Sequence, residues 1–288
     1  MNGLKKKVVS NQLSVKLKAD IDKHCETSYD SGNSWRLGAS KIGEPCSRKL
    51  WYGFRWVKQE KFDGRMQRLL NRGNHEEVRF IEWLRGIGCQ VWDKDEQGKQ
   101  FKISGANGHF GGALDSVVKL PLDYDFNEPL LGEFKTNCTG AGFNKLCSSG
   151  VTVSKPLHFA QACIYGYKYN LTYCVYLNLN KNDDDLHVEI VKLDFEEAKR
   201  LEAKAEKIIF SQNALEKISE NANYQTCTTC NFKTVCHNKE GAEKNCRSCV
   251  NASPVENAQW FCSVHGANIP REFVAKGCDN WIDITKVE

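Results

Sequence analysis

The chain has 288 residues, with 40 Lys and Arg against 36 Asp and Glu and a formal charge of +4. A surplus that small neither diagnoses nor opposes a polyanionic partner, and the length suits one sizeable core with a small appendage. The basic start MNGLKKKVVS has no apolar run of a secretory signal behind it, and no segment offers the roughly 18 apolar residues of a membrane span, so a cytoplasmic protein without a membrane partner is expected.

Residues 1–35 read as a polar N-terminal segment with a helix around 15–24, followed by the Ser/Gly/Asn-rich SYDSGNSW. Residues 40–56 predict a helix that carries Cys46, Arg48, Leu50, Trp51 and Tyr52. Met66, Leu69, Leu70, Gly73, Phe80, Ile81 and Leu84 recur at spacings of three, four or seven, which predicts a second amphipathic helix. CQVWDKD, KQFKIS, GALDSVVKLP and PLLGEFKTN predict strands. Residues 157–169 predict a helix, TYCVYLNLN and LHVEIVKL two strands, and Ala198, Leu201, Ala205, Ile208 and Leu215 a long helix. This order is that of a mixed α/β core over residues 36–222. Beyond it apolar periodicity fades, and seven of the 14 cysteines fall between Cys227 and Cys278.

Asp115 lies in GALDSVVKL, inside one predicted strand, and Glu133 and Lys135 lie in LLGEFKTN, inside the next. Alternation along a strand puts Glu133 and Lys135 on one face and Phe134 on the other. Two carboxylates converging with an ammonium suit phosphodiester hydrolysis. Carboxylate oxygens hold Mg²⁺ or Mn²⁺, the metal polarises the phosphate and activates water, and Lys135 orients that water or offsets developing charge. The same triplet equally fits the solvated face of a hairpin. Three further features bear on the choice: His75 stands off the apolar stripe of its helix, Gln161 and Tyr165 lie four apart on one helical face, and Cys46, Arg48 and Tyr52 sit together in the first core helix.

With these residues the chain resembles the RecB-like nucleases of the PD-(D/E)xK superfamily, in particular their CRISPR-associated exonuclease branch and related bacteriophage nucleases. CSRKLWY, GNHEE, GALD, EFK, QACIY and CTTCNFKTVC carry the resemblance, in that order. It implies a restriction-endonuclease-like core, a mixed central sheet flanked by helices. It also implies a metal-dependent DNA exonuclease acting on single strands or duplex ends in replication, recombination or repair. Carried over by position, it makes His75, Asp115 and Glu133 metal ligands, Lys135 the catalytic lysine, and Gln161 and Tyr165 residues beside the DNA. A histidine ligand would make Mn²⁺ more competitive with Mg²⁺. Arg48 is read as a phosphate contact or a core cap, and Arg72, Lys102, Lys119, Lys145 and Lys155 as members of a basic channel.

Cys227, Cys230 and Cys236 form C-x2-C-x5-C within residues 223–240. The resemblance supplies Cys46 as their fourth member around a 4Fe-4S cluster, which would clamp the first core helix to the end of the core. In the tail, residues 241–288, Cys246, Cys249 and Cys262 have zinc-ligand spacing, with either His265 or Cys278 as the fourth ligand. A rival partition joins Cys227, Cys230, Cys246 and Cys249 as a zinc ribbon and leaves Cys46 and Cys236 without a metal. Cys25, Cys89, Cys138, Cys147, Cys163 and Cys174 read as buried hydrophobes. A structure-specific or restriction-like endonuclease and a non-catalytic nucleic-acid-binding adaptor stand as alternatives. Redox use of the cluster is a further one, for which no GxGxxG fingerprint of a partner cofactor is present.

Overall fold

A computed structural model describes residues 2–29, 32–137 and 140–287, with side chains from residue 11 onward. The core elements are helix α1 (Asn2–Ser28), strand β1 (Leu37–Gly38), helices α2 (Ser47–Phe54) and α3 (Gly64–Gly86), and strands β2 (Gln90–Trp92), β3 (Lys102–Gly105), β4 (Phe110–Ala113), β5 (Ser116–Lys119) and β6 (Leu130–Asn137). They continue with α4 (Gly140–Ser154), α5 (Pro156–Tyr169), β7 (Tyr173–Asn180), β8 (Leu186–Lys192) and α6 (Phe195–Phe210). The cysteine-rich end holds α7 (Gln225–Thr228), α8 (Lys233–Asn238), β9 (Ala252–Pro254), β10 (Trp260–Cys262), β11 (Ala267–Asn268) and α9 (Arg271–Val274). Among the described residues no helix is long and apolar enough to cross a membrane.

The central sheet runs β2-β5-β6-β7-β8, with β6 and β7 parallel and the other neighbours antiparallel. The parallel pair needs a crossover, and α4 and α5 supply it. One face of the sheet packs Phe134, Val175 and Leu177 against Phe80, Ile81 and Leu84 of α3. The other packs Leu131, Cys174 and Tyr176 into the larger core with α5 and α6. The expected mixed α/β architecture, helices on both faces of a mixed sheet, is therefore present.

Local chemistry sets the helix ends. Asp63 caps α3 by accepting from Met66 N at 2.7 Å, Pro156 opens α5, and Asp194 caps α6 through Glu196 N and Glu197 N. Several elements differ from the sequence reading, beginning with the N-terminal helix, which spans Asn2–Ser28 rather than residues 15–24. The first core helix begins at Ser47 rather than residue 40: Ala39–Lys41 form a separate 3-10 turn, and a proline at position 45 disfavours a helical conformation at the residue before it. The last long helix stops at Phe210, short of Leu215. Asp115 lies in a bend between β4 and β5 rather than inside a strand. Helix α4, rich in Gly and Ser, had no periodic signature, and Gly150 breaks it with φ +70°. Cys147 is exposed, against expectation, while Cys25, Cys89, Cys163 and Cys174 are buried; Cys138 lies outside the described residues.

The cysteine-rich end is packed into the core. His109, fully buried, donates from Nε2 to Val255 O at 2.8 Å, and Gly108, at φ +85°, leaves room for Ala258. Arg55 and Arg247 are both 0% exposed. The Arg247 guanidinium lies 4.5 Å from the Phe54 and Trp56 ring centres and 4.7 Å from that of Trp260. Arg55 lies 5.0 Å from Trp260 and donates to Cys249 O at 2.9 Å. Aromatic faces and carbonyls thus stabilise two buried cations and join helix α2 to the tail.

Candidate active site

Asp115, Glu133 and Lys135 converge at the junction of β4, β5 and β6. Asp115 Oδ2 accepts from Phe134 N at 2.7 Å and lies 3.9 Å from Lys135 Nζ. Glu133 is completely buried and forms an ion pair with Lys135 Nζ; its carboxylate oxygens otherwise have no hydrogen-bond partner. Phe134 points the other way, onto Phe80, with ring centres 5.3 Å apart. The hairpin-surface reading of the triplet is therefore wrong: this face is interior.

A third carboxylate lies within electrostatic reach of them. Glu77, half-buried on α3, feels the charges of Asp115 and Lys135. Burial, reinforced by Asp115, pushes its pKa up to about 7 against the opposing pull of Lys135. Burial likewise raises the Glu133 pKa, with Lys135 opposing and Asp115 adding. For Lys135 burial acts to lower the pKa, but Glu133 and Asp115 outweigh it, so the ammonium is held above its ordinary value and stays charged.

The structure does not bring His75 to this site. Its side chain is exposed, with Nε2 3.3 Å from Asn71 Nδ2. Two residues are about 200° around a helix, so when Glu77 faces the carboxylates His75 cannot. Glu77 was legible in principle, since it precedes the buried Phe80, Ile81 and Leu84 by three, four and seven residues. The basis for favouring Mn²⁺ through a histidine ligand goes with His75: the side chains within electrostatic reach of one another are carboxylates, and among the described residues no three are spaced as a metal site.

Gln161 and Tyr165 are buried on α5, four residues apart, with Tyr165 close enough to feel Glu133, Asp115 and Lys135. A Cβ on Gly112 would overlap the Tyr165 hydroxyl, so this glycine is what lets the ring approach β4. Beyond Lys135 lies a polar group absent from the sequence reading. Tyr176, cross-strand from Glu133, has its hydroxyl 2.8 Å from His158 Nδ1 and 3.0 Å from Asn178 Nδ2. Burial, with Lys135 and Lys155 nearby, drives the His158 pKa down to about 3.

Arg48 does not face the carboxylates. It donates to Leu215 O and lies beside Tyr52 and Cys236. Arg72 pairs with Glu76 at 3.6 Å.

The cysteines fall into two neighbourhoods. Cys46, Cys227, Cys230 and Cys236 line one cavity, with Arg48 and Lys49 on its wall. Cys246, Cys249, Cys262 and Cys278 line a second, as does the exposed His265. Cys246 feels Cys278, Cys249 and Cys262 directly. Cys249 Sγ receives an N–H contact from Ile282 at 3.4 Å. The zinc-ribbon partition, which needs Cys227 and Cys230 beside Cys246 and Cys249, is not formed. Among the described residues no three His, Cys, Asp or Glu side chains are already spaced as a coordination sphere, so these groups are neighbours rather than preformed ligand sets.

No protein-family model matches the sequence, and no curated protein sequence matches it. Among solved structures, SSO0001 is 14% identical with a TM-score of 0.44, over 79% of this chain and 97% of that one. The alkaline exonuclease LHK-Exo from Laribacter hongkongensis is 12% identical with a TM-score of 0.41, over 61% of this chain and 87% of that one. LHK-Exo in complex with dAMP is 14% identical with a TM-score of 0.41, over 60% and 86%. Similarity this low leaves the chemistry to be argued from the site itself.

Proposed function

We propose that the chain is a divalent-metal-dependent deoxyribonuclease of the PD-(D/E)xK type that removes nucleotides from DNA ends in replication, recombination or repair. The observation that carries this reading is Glu133. A carboxylate that is wholly buried, paired only with Lys135 and otherwise unpartnered is costly to keep, unless a cation completes it.

Asp115, Glu133 and Glu77 offer carboxylate oxygens, the ligands that Mg²⁺ and Mn²⁺ prefer, and they would have to draw together around the ion, since among the described residues no three such side chains are already spaced as a coordination sphere. When bound, such an ion supplies Lewis acidity toward the phosphate and an acidified water. The chain's own residues do the rest. Lys135, kept charged, offsets negative charge growing on the phosphate oxygens. The Asp115 hydrogen bond to Phe134 N fixes the first carboxylate on the strand that carries the second. Gln161 and Tyr165 offer donors beside the same site.

Two structural centres belong to the same proposal. Cys46, Cys227, Cys230 and Cys236, flanked by the cations Arg48 and Lys49, fit the thiolates and charge of a 4Fe-4S cluster. Cys246, Cys249, Cys262 and Cys278 fit zinc, with Cys278 preferred to the exposed His265 because it is the one felt by Cys246. The cluster would tie the cysteine-rich end to helix α2 through Cys46, and the zinc would hold segments of the tail to one another. Anaerobically purified protein is then expected to carry about four irons and about one zinc per chain. Absence of iron under those conditions removes the cluster assignment.

The activity is tested by incubating the purified chain with Mn²⁺ or Mg²⁺ on linear and covalently closed circular DNA, with EDTA as control. Metal-dependent loss of the linear form with circles intact is expected. Cutting of circles would replace the exonuclease by an endonuclease at the same site, and no cleavage of either would overturn the proposal.

A further inference from the structure

A groove of about 740 Å³ runs between the sheet formed by β1, β4 and β3 and the cysteine-rich end. We infer that it is the binding track for a single-stranded DNA segment leading to the carboxylate site. Its choice of DNA rests on the nuclease reading above. The groove itself stands on three independent observations.

The first is charge. Arg36, Lys102 and Arg271, all exposed, line the groove, and among the described residues its lining includes no aspartate or glutamate. A chain that carries 36 acidic residues against 40 basic ones has no general bias that would produce such a wall. Three uncompensated cations along one channel suit a phosphate backbone.

The second is a stacking surface. Trp35 is half-buried, held edge-on by Trp56 with ring centres 4.8 Å apart, and the Arg271 guanidinium lies 4.3 Å from its ring centre. A fixed indole extended by a planar cation accepts an unpaired base, since bases stack both on aromatic rings and on guanidinium planes. A duplex stacks its own bases and offers such a platform nothing but phosphate. Amides on the facing wall, Gln259 and Asn268, are bonded to each other at 2.6 Å and add donors and acceptors without charge.

The third is continuity with the chemistry. The floor of the groove is the glycine pair of β4. Arg36 lies across Gly111, where a Cβ would stand 3.4 Å from Arg36 Cδ, and the next residue, Gly112, abuts the Tyr165 hydroxyl. Lys102 stands opposite Ala113 in the β3–β4 ladder. Asp115 follows Gly112 by three residues, at most about 11 Å of chain. A strand bound along Arg36 and Lys102 therefore lies beside Ala113, two residues of backbone from Asp115. The cysteine-rich end forms one wall of this path through residues 257–271, which gives it a part in substrate binding beyond any metal it holds.

The test uses the full chain carrying Glu133→Gln, so that binding is read without cleavage, and a fluorescein-labelled dT20 strand followed by anisotropy across a salt series. Arg36→Ala with Arg271→Ala is expected to reduce the slope of log K against log salt by about 1.4, at about 0.7 per lost contact on a single strand. Trp35→Ala is expected to weaken dT20 roughly ten-fold while leaving a blunt duplex of equal length unaffected. Because a variant can fail to fold, the otherwise native Glu133→Gln chain is also photocrosslinked to a 5-iodouracil-substituted strand. Crosslinks are expected at Trp35. An unchanged slope, equal effects of Trp35→Ala on strand and duplex, or crosslinks confined to other surfaces would overturn the proposal. Metal-dependent cleavage by the unsubstituted chain alongside an unchanged slope sinks the groove alone. A changed slope with no cleavage by the unsubstituted chain sinks the nuclease reading alone.

Discussion

Asp115 Oδ2 accepts a 2.7 Å hydrogen bond from the backbone amide of Phe134, so the first carboxylate of the site is fastened to the strand that carries the second. This gives Asp115 two separable jobs. Asparagine retains the acceptor and loses the charge, so Asp115→Asn is expected to melt within a few degrees of the native chain while losing metal-dependent cleavage. Asp115→Ala loses both. A thermal melt run beside a cleavage assay separates them, and an Asn variant that cleaves normally would remove Asp115 from the chemistry.

Gly112 and Tyr165 form a second coupled pair, because a methyl group at Gly112 would overlap the Tyr165 hydroxyl. Gly112→Ala is expected to slow cleavage by displacing the ring, and Tyr165→Phe to relieve part of that penalty. Contacting residues typically show coupling of roughly 0.5–3 kcal/mol in such a cycle. Strict additivity of the two substitutions in cleavage rate would argue that the ring does not rest on β4.

The architecture and the triplet could be read from the sequence because both depend on local alternation and periodicity: Phe134 flanked by Glu133 and Lys135 already fixes which side chains share a face. Glu77 escaped because the resemblance directed attention to His75, two positions earlier and on the wrong side of α3. Helix α4 escaped because its glycines and serines carry no stripe. The two cysteine partitions were indistinguishable by spacing. In the fold Cys46 lines one cavity with Cys227, Cys230 and Cys236, which brings the start of α2 to α7 and α8 across about 180 residues. The basic groove is assembled from residues 34–38, 102–113 and 257–274, and no local pattern announces it.

On the proposed metal reading, Glu77, raised to about 7, and Glu133, raised by burial, make metal uptake pH-dependent. In metal-free protein these raised carboxyl groups favour the folded state most below their unfolded pKa, and that contribution is lost as pH rises toward 7. Metal ions need the ionised form, so Mn²⁺ competes with protons below 7 and is released from that competition above it. Calorimetric titration at pH 6, 7 and 8 is expected to show affinity rising with pH, and Glu77→Gln to flatten the rise. A flat profile in the native chain contradicts the three-carboxylate site.

His158 gives the opposite sign. Its folded pKa of about 3 lies below the unfolded value, so its contribution to stability is complete above about 6.5 and is lost as pH falls toward 3. Between pH 6.5 and 5 this amounts to about 2 kcal/mol, at roughly 1.4 kcal/mol per pH unit for one proton. His158→Gln keeps a polar partner for Tyr176 and cannot titrate. The variant is expected to lose fewer degrees of melting temperature across that interval than the native chain. Equal losses would mean that His158 is accessible to protons in the folded state.

Glu133 bears most directly on what the site does, as the wholly buried carboxylate paired with Lys135. The decisive measurement is the single-turnover cleavage rate of an end-labelled DNA at saturating Mn²⁺, native chain against Glu133→Gln, with DNA affinity measured in parallel. A loss of about a thousand-fold or more in rate at unchanged affinity is expected, on the scale at which removing a preorganised charge-stabilising group acts. Cleavage by Glu133→Gln at the native rate would contradict a carboxylate-centred nuclease site.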